Sequence, residues 1–336
     1  MTISRNIKRS SVVLGVCVTV GLGGPTHGWR KLDDGSPAQQ HRTYERVHYS
    51  QVHLGVQVSL TVYAPSREAA DEACRAAFGR IAELEDVMSD YRPDSELNRL
   101  CAQAGGPPVE VSGDLFTVLH RAHDLAERSR GAFDATVGPY VQLWRQARRS
   151  GTLPRPEDWR AARALVGYRK MRLDAAARTV ELDRPGMRLD LGGVGKGYAL
   201  DEALKTLREH GLTRALASAG GDLAVGDPPP GRRGWRIRVW EAEGGGRRLV
   251  AANCGVSTSG DTEQFAEIDG RRYSHIIDPR SGLRYGEPIL ATVVAPNATA
   301  SDGLATACVV LGERAGRELV EAAPGATLYL RRVGGG

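Results

Sequence analysis

The chain has 336 residues, 41% of them hydrophobic and 25% charged, an ordinary globular balance that excludes a disordered, collagen-like or small disulfide-scaffold protein. The formal net charge of +5 is concentrated at the amino terminus, where Arg5, Lys8 and Arg9 stand in a stretch without an acid. The remainder is near neutral for its size, so nucleic acid is not indicated as a partner.

Residues 1–29 have the three parts of a secretory signal peptide: the basic residues, the apolar run Val12–Leu22, and a break at Gly23-Gly24-Pro25. A bilayer span needs about 20 apolar residues, so this run is too short for a membrane anchor. The bulky Val16 before Cys17 argues against lipidation there. The expectation is an exported, periplasmic or otherwise extracytoplasmic protein, with a polar linker over 30–45 and one domain over 46–333. The basic pair is Lys8-Arg9, so the sequence does not say whether export is of folded or unfolded chain. Past the leader, Cys74, Cys101, Cys254 and Cys308 form no C-x-x-C pair, which excludes a zinc ribbon or a dithiol redox motif. Cys74 and Cys308 sit in apolar helical patterns, so buried thiols are expected over two disulfides.

Along the domain, strict alternation through Val52, Leu54, Val56, Val58, Leu60 and Val62 predicts a strand or hairpin arm within Val47–Tyr63. Ser66 caps a helix to about Asp86, Pro93-Asp94-Ser95-Glu96 opens a short one, and Ser112 begins another that runs to Arg130 and stops at Gly131. After a loop, Pro154–Leu165 is predicted helical. Arg172–Asp174 and Thr179–Leu182 read as a hairpin and Met187–Leu191 as a strand. Tyr198–His210 is an amphipathic helix ended by Gly211. Strands follow at Ala215–Ala219, Trp235–Trp240, Gly255–Ser257 and Thr292–Ala295, then a helix over Ser301–Leu311 and a closing strand at Ala326–Arg331. The elements mix without a βαβ rhythm or a solenoid repeat, which makes the class α+β.

The densest motif is Asp190-Leu-Gly192-Gly193-Val-Gly195-Lys196-Gly197-Tyr198. A glycine-rich turn between a strand and a helix lets backbone N–H groups approach an anion, and the helix start adds favourable potential. It is not a P-loop, since Asp190 and Gly197 stand where Gly and Ser/Thr are required. Nor is it a dinucleotide fingerprint, since Tyr198 replaces the third glycine. It is either a phosphate-binding loop of another type or a tight turn without a ligand. Lys196 is one of only five lysines in an arginine-dominated chain, and a compact ammonium suits a phosphate oxygen. Ser218-Ala-Gly220-Gly221-Asp222 and Thr258-Ser259-Gly260 are further glycine turns. His275, in an apolar run before Asp278-Pro279, is a structural histidine or an acid–base group. Asp302 and Thr306 lie four apart on one helix face, with Leu304, Cys308 and Leu311 on the other. That carboxylate and hydroxyl suit a hard cation such as Mg²⁺, or else belong to an ordinary helix N-terminus.

Taken together and in order, these segments resemble the ApbE family, the FAD:protein FMN transferases, over roughly Val52 to Leu330. The landmarks are Met88-Ser-Asp-Tyr91-Arg-Pro-Asp94-Ser95-Glu96, Gly131-Ala-Phe133-Asp134-Ala-Thr136-Val-Gly138-Pro, Asp190 to Gly197, Gly220-Gly221-Asp222, Thr258-Ser259-Gly260, His275-x-x-Asp278-Pro279 and Ser301-Asp302-x-x-x-Thr306. The resemblance implies a single two-lobed α+β domain related to the T-fold. It implies that Tyr91, Ala132, Phe133, Asp134, Asp190, Lys196 and Ile276 line an FAD site. It assigns Mg²⁺ to the Gly193 carbonyl, Asp302 and Thr306, and catalytic roles to His275 and Asp302. The implied reaction joins the FMN half of FAD to a Thr or Ser hydroxyl of an acceptor flavoprotein, a membrane-associated redox protein in expectation, and releases AMP. An FAD pyrophosphatase and a non-catalytic FAD-binding module are the alternatives. The chain departs from the family at Leu54-Gly55-Val56, where Met-Gly-Thr is usual, at Asp222 for Glu, and at Ser281 for Thr.

Overall fold

The alternation from Val47 to Tyr63 folds as a hairpin. Strands β1 (Glu45–His53) and β2 (Val56–Ala64) are joined at Leu54 and Gly55, both at positive φ (54° and 71°), the geometry of the tightest hairpin turn. The structure, a computed structural model, describes residues 43–240, 246–260, 265–268, 271–283 and 289–332. The expected signal peptide (1–29), nearly all of the linker (30–45) and the last residue of the 46–333 domain lie outside the described residues.

Serine caps set the next three helices. Ser66 accepts from Ala69 N at 3.2 Å to open α1 (Arg67–Met88), and Ser95 accepts from Asn98 N at 3.1 Å to open α2 (Glu96–Ala102). After the short β3 (Val109–Glu110), Ser112 accepts from Leu115 N at 3.1 Å to open α3 (Gly113–Arg128). A 3₁₀ turn at Ala135–Val137 leads into α4 (Gly138–Ser150), a helix where the sequence pattern predicts a loop, and α5 (Pro156–Leu165) follows. Strands β4 (Met171–Asp174) and β5 (Thr179–Leu182) form the expected hairpin. The strand predicted at Met187–Leu191 is absent: Asp190 N donates to Ala135 O at 2.8 Å, and no ladder forms on either side. Helix α6 (Gly195–Glu209) begins three residues before the expected Tyr198. Then come β6 (Ala215–Ala219), β7 (Asp222–Val225), β8 (Trp235–Trp240), β9 (Gly246–Ala251), β10 (Cys254–Gly260), β11 (Phe265–Ile268), β12 (Arg271–Ser274) and β13 (Ile289–Ala295). Helix α7 (Ala298–Glu321) passes the predicted end at Leu311, breaking at Gly312 (φ 75°) and resuming, and β14 (Thr327–Arg332) closes the chain.

One seven-stranded sheet, in the order β1-β2-β6-β7-β10-β13-β14, is antiparallel at every pairing. Alternation puts Val58, Leu60, Val62 and Ala217 on the face covered by α1 and α6, where they meet Phe78, Ile81, Leu200 and Leu207. On the opposite face Leu216, Leu223, Val225 and Val256 pack against Trp235, Ile237 and Val239 of the β8–β9 hairpin. The second lobe gathers α2–α5, the sheet β3-β5-β4 and the β11–β12 hairpin, with Tyr140, Trp144 and Tyr273 in its aromatic cluster. Leu115, Leu119, Met187, Leu304 and Val293 belong to one core that joins the lobes, so the architecture is the expected two-lobed α+β unit. Cys74, Cys101 and Cys308 are buried free thiols and Cys254 is a half-buried one.

Two glycines test this packing in opposite directions. A Cβ on Gly197 would lie 2.2 Å from the Ala298 carbonyl oxygen, backbone that has nowhere to go, whereas a Cβ on Gly79, inside α1, meets nothing within 4 Å. Gly197→Ala is expected to lose at least ~1–3 kcal/mol through overpacking. Gly79→Ala should gain about 0.5–1 kcal/mol, because the unfolded chain then has less freedom to lose. Urea unfolding of both variants against the parent checks the opposite signs.

Candidate active site

Helices α6 and α7 meet at their first turns and cap one another. The N-cap of α6, Val194, has no side-chain acceptor, and Gly197 N instead donates to Asp302 Oδ2 on α7 at 3.0 Å. In return Asp201 on α6 accepts from Ala298 N and Thr299 N at 2.8 Å each and from the Thr299 hydroxyl at 2.6 Å. Carboxylates about a hundred residues away in sequence thus take Gly197 N of α6 and the first two N–H groups of α7, while Asn297 caps Ala300 N of α7 locally at 2.8 Å.

This contact places an ion cluster at the start of α6. Lys196 Nζ lies 3.0 Å from Asp222 Oδ2, 3.2 Å from Gly192 O and 3.7 Å from Asp302 Oδ1. Asp222 is delivered by the two-residue turn between β6 and β7, where Gly220 and Gly221 both take positive φ (54° and 98°). Asp302 and Asp222 are 1% and 2% exposed, so two buried carboxylates share one ammonium. Asp222 Oδ2 is buried and, among the described residues, has its ion pair with Lys196 as its one contact with a polar hydrogen. Burial, and then the charge of Asp222, push the Asp302 pKa up to about 7 against the pull of Lys196. Burial opposes the Lys196 charge, but Asp222 and Asp302 outweigh it and hold its pKa above the ordinary lysine value.

Thr306 stands one turn beyond Asp302, its hydroxyl 3.2 Å from Ser259 Oγ on β10. Gly193 fits against it: a Cβ there would lie 3.0 Å from both the Phe133 ring and the Thr306 methyl. Asp302 and Thr306 thus share one helix face, and Gly193, which the resemblance adds, lies against Thr306. One part of the expectation is corrected: the face carrying Asp302 is not turned from the core but sealed by the first turn of α6. The glycine loop also differs from an open row of donors. Gly192 N bonds to Asp190 Oδ1 (2.8 Å), Val194 N and Gly195 N to Leu191 O (3.0 and 2.7 Å), and Gly197 N to Asp302. Gly193 and Gly197 serve close approach.

The remaining predicted residues all lie in segments between helices and strands. Asp190 fixes the turn through Gly192, and burial with the neighbouring Asp90 charge pushes its pKa up to about 6, against Gly192 N–H and Arg145. Ala132 and Phe133 are buried, and Asp134 accepts from Thr136 N and the Thr136 hydroxyl at 2.8 and 2.7 Å, capping the 3₁₀ turn. Ile276 is half-buried against the shared core, and Tyr91 is 75% exposed. His275 is exposed on the bend after β12, not enclosed as the apolar run around it suggested. Sequence reasoning missed Arg145, which lies on the unforeseen α4. Pro139 at the start of that helix and Gly151 (φ 73°) at its end were the available signals. Ser259 was noticed only as part of a turn. Elsewhere, on α3, His123, Asp124 and Glu127 bring their ligand atoms within 4.8 Å of one another, on partly exposed side chains.

The ApbE family profile matches residues 54–330. The FAD:protein FMN transferase of Treponema pallidum is 36% identical over 298 residues, 82% of this chain and 82% of the relative. The FAD:protein FMN transferase of Vibrio cholerae is 30% identical over 286 residues, 83% of this chain and 85% of the relative. The chain belongs to the ApbE family. Among solved structures, the flavin transferase ApbE from Vibrio cholerae superposes with a TM-score of 0.74 at 29% identity, covering 86% of this chain and 97% of that one. The apo flavinyl transferase ApbE of Pseudomonas stutzeri does so with a TM-score of 0.74 at 26% identity, covering 86% and 95%. The chain's overall fold is thus the ApbE fold.

The raised pKa of Asp190 carries a sign. Its folded value of about 6 exceeds the ordinary 3.8, so the folded state holds this proton more tightly than the unfolded one. The contribution of Asp190 to stability is therefore largest below pH ~4 and falls as pH rises through ~6. Asp190→Asn keeps an acceptor for Gly192 N and should flatten that part of the stability–pH curve, measured by urea unfolding between pH 4 and 7.

Proposed function

We propose that the protein is an FAD:protein FMN transferase that moves the FMN half of FAD onto a threonine or serine hydroxyl of an acceptor flavoprotein and releases AMP. The observation that carries this reading is the cluster of Lys196, Asp222 and Asp302 at the first turn of α6, beside Gly193 and the Thr306 hydroxyl. Family membership supplies the flavin chemistry, and the cluster supplies the charged groups that displacement at a pyrophosphate needs. The acceptor oxygen attacks the FMN-side phosphorus, a new P–O ester bond forms, and the bond to the bridging oxygen breaks. The bond's electron pair leaves with AMP, and the hydroxyl proton passes to His275, whose exposed position lets a partner chain reach it.

The donor set fits Mg²⁺. It consists of oxygens only, beside Asp222, a second buried carboxylate whose Oδ2 has, among the described residues, the ion pair with Lys196 and no other polar partner. Asp302, Thr306 and the Gly193 carbonyl would hold the ion, which when bound offsets negative charge on the pyrophosphate. Lys196 restrains the two acids and keeps a positive charge beside the phosphates. Tyr91 offers an aromatic surface to the flavin ring, and Phe133 backs the glycine loop. The transferase domain is assigned to residues 46–333 and its action to the extracytoplasmic side, on the strength of the leader-like 1–29 segment.

Incubation with FAD, Mg²⁺ and cellular membranes tests the proposal: in-gel flavin fluorescence on a second polypeptide supports it, and free FMN as the sole flavin product contradicts it. Asp302→Asn retains an acceptor for Gly197 N but removes the charge that balances a cation. Transfer should fall at least 100-fold, equivalent to about 2.7 kcal/mol, while the thermal midpoint holds. Thr306→Val removes a neutral ligand that water can partly replace, and a smaller loss is expected. EDTA should abolish wild-type transfer, and activity that persists in its presence would remove the metal from the scheme.

A further inference from the structure

Arg145, on α4, meets three groups at once. Its guanidinium carbon lies 4.0 Å from the centroid of the Tyr91 ring, and a terminal nitrogen lies 2.5 Å from Asp90 Oδ2 and 3.6 Å from Asp190 Oδ2. Among the described residues the exposed large hydrophobic side chains are Val52, Tyr91, Leu153 and Val250, so Tyr91 is the one aromatic in that group. At 75% exposure its ring has one face against the guanidinium and the other toward solvent. The backbone around it is held by Ser89, whose hydroxyl accepts from Tyr91 N and Arg92 N at 3.3 and 3.2 Å. Asp190, the second acid on Arg145, accepts from Gly192 N at 2.8 Å and so fixes the turn that delivers Gly193 and Lys196.

We infer that Arg145 is a positioning residue for the flavin: it backs the Tyr91 ring as a platform for the isoalloxazine and locks that platform to the glycine loop through Asp190. The inference rests on the transferase reading above, which makes this a flavin site. An exposed ring on a short loop gains a fixed plane only from a partner that is itself fixed. Two acids grip the guanidinium, leaving its flat face for the ring. Without Arg145, Asp90 and Asp190 face each other with no cation between them, and Tyr91 loses its backing. Lysine would restore charge to the acids but has no planar face to stack.

A double-mutant cycle on the full chain tests this, read as FAD dissociation constants from calorimetry together with melting temperatures. Arg145→Gln and Tyr91→Leu are each expected to weaken FAD binding roughly 5- to 20-fold. The double variant should be less than twofold weaker than the worse single, because both changes remove one platform. Arg145→Lys should keep the wild-type melting temperature and recover part of the affinity. Losses that multiply in the double variant would overturn the inference, as would Arg145→Lys binding FAD as tightly as wild type. A wild-type protein that binds FAD but transfers no FMN overturns the transferase reading and leaves the cycle valid. A wild-type protein that binds no flavin overturns both.

Discussion

Everything at this site follows from the exchange of carboxylates between α6 and α7. Asp302 satisfies the first turn of α6 and Asp201 the first turn of α7, while Gly197 lets the two backbones touch. Each cap is worth ~1 kcal/mol, and the pair fixes the angle and register of both helices. Lys196 lies in that first turn of α6 and Thr306 one turn beyond Asp302 on α7, so helix capping sets the placing of these groups, while the β6–β7 turn delivers Asp222 to them. A second anchor lies further along α6, where Arg80 of α1 bridges Asp114 of α3 and Glu202 of α6, and the Tyr198 hydroxyl donates to Asp114 at 2.7 Å. The helix is gripped at its start and its middle, which leaves the site little freedom to relax.

The arrangement is costly in its own terms. A capping carboxylate at a helix surface is simple to accommodate, but Asp302 is also one of two buried acids beside a single lysine. Replacing such a group by an apolar residue is often neutral or stabilising in a core with no other task. The excess negative charge and the Asp222 oxygen held only by its ion pair are local violations of good packing, concentrated where the sequence carries its glycine turns. Violations of that kind mark the places where a chain answers to chemistry more than to stability.

Local patterns were legible in the sequence and long-range ones were not. Period-two alternation gave the strand character of β1 and β2 but not the turn at Leu54 and Gly55 that divides them, and Ser66, Ser95 and Ser112 gave three helix starts because each cap acts on a neighbour three residues away. The four-residue spacing of Asp302 and Thr306 put both on one helix face, and the collinear landmarks gave the family. The start of α6 was misplaced because its cap comes from Asp302, and no local pattern encodes that. The stretch Met187–Leu191 has strand-like residues but finds no partner strand: Asp190 N goes to the Ala135 carbonyl and Leu189 N to Cys101 Sγ. The burial of Asp302 was missed for the same reason: a helical wheel shows which residues share a face, not what covers it. Arg145 gave no signal among so many arginines, since its importance lies in what Tyr91, Asp90 and Asp190 bring to it.

The free cysteines bear on what holds such a chain together. Cys74, Cys101 and Cys308 are packed in the core, and burial pushes the thiols of Cys74 and Cys308 up to about 12, so neither offers a thiolate at neutral pH. Cys101 takes part in the backbone framework as an acceptor for Leu189 N at 3.3 Å, a role that a disulfide would end. None of the described fold's contacts waits on an oxidant. Among the described residues, then, the packing is complete with every cysteine as a thiol, and no sulfur–sulfur bond carries any part of it.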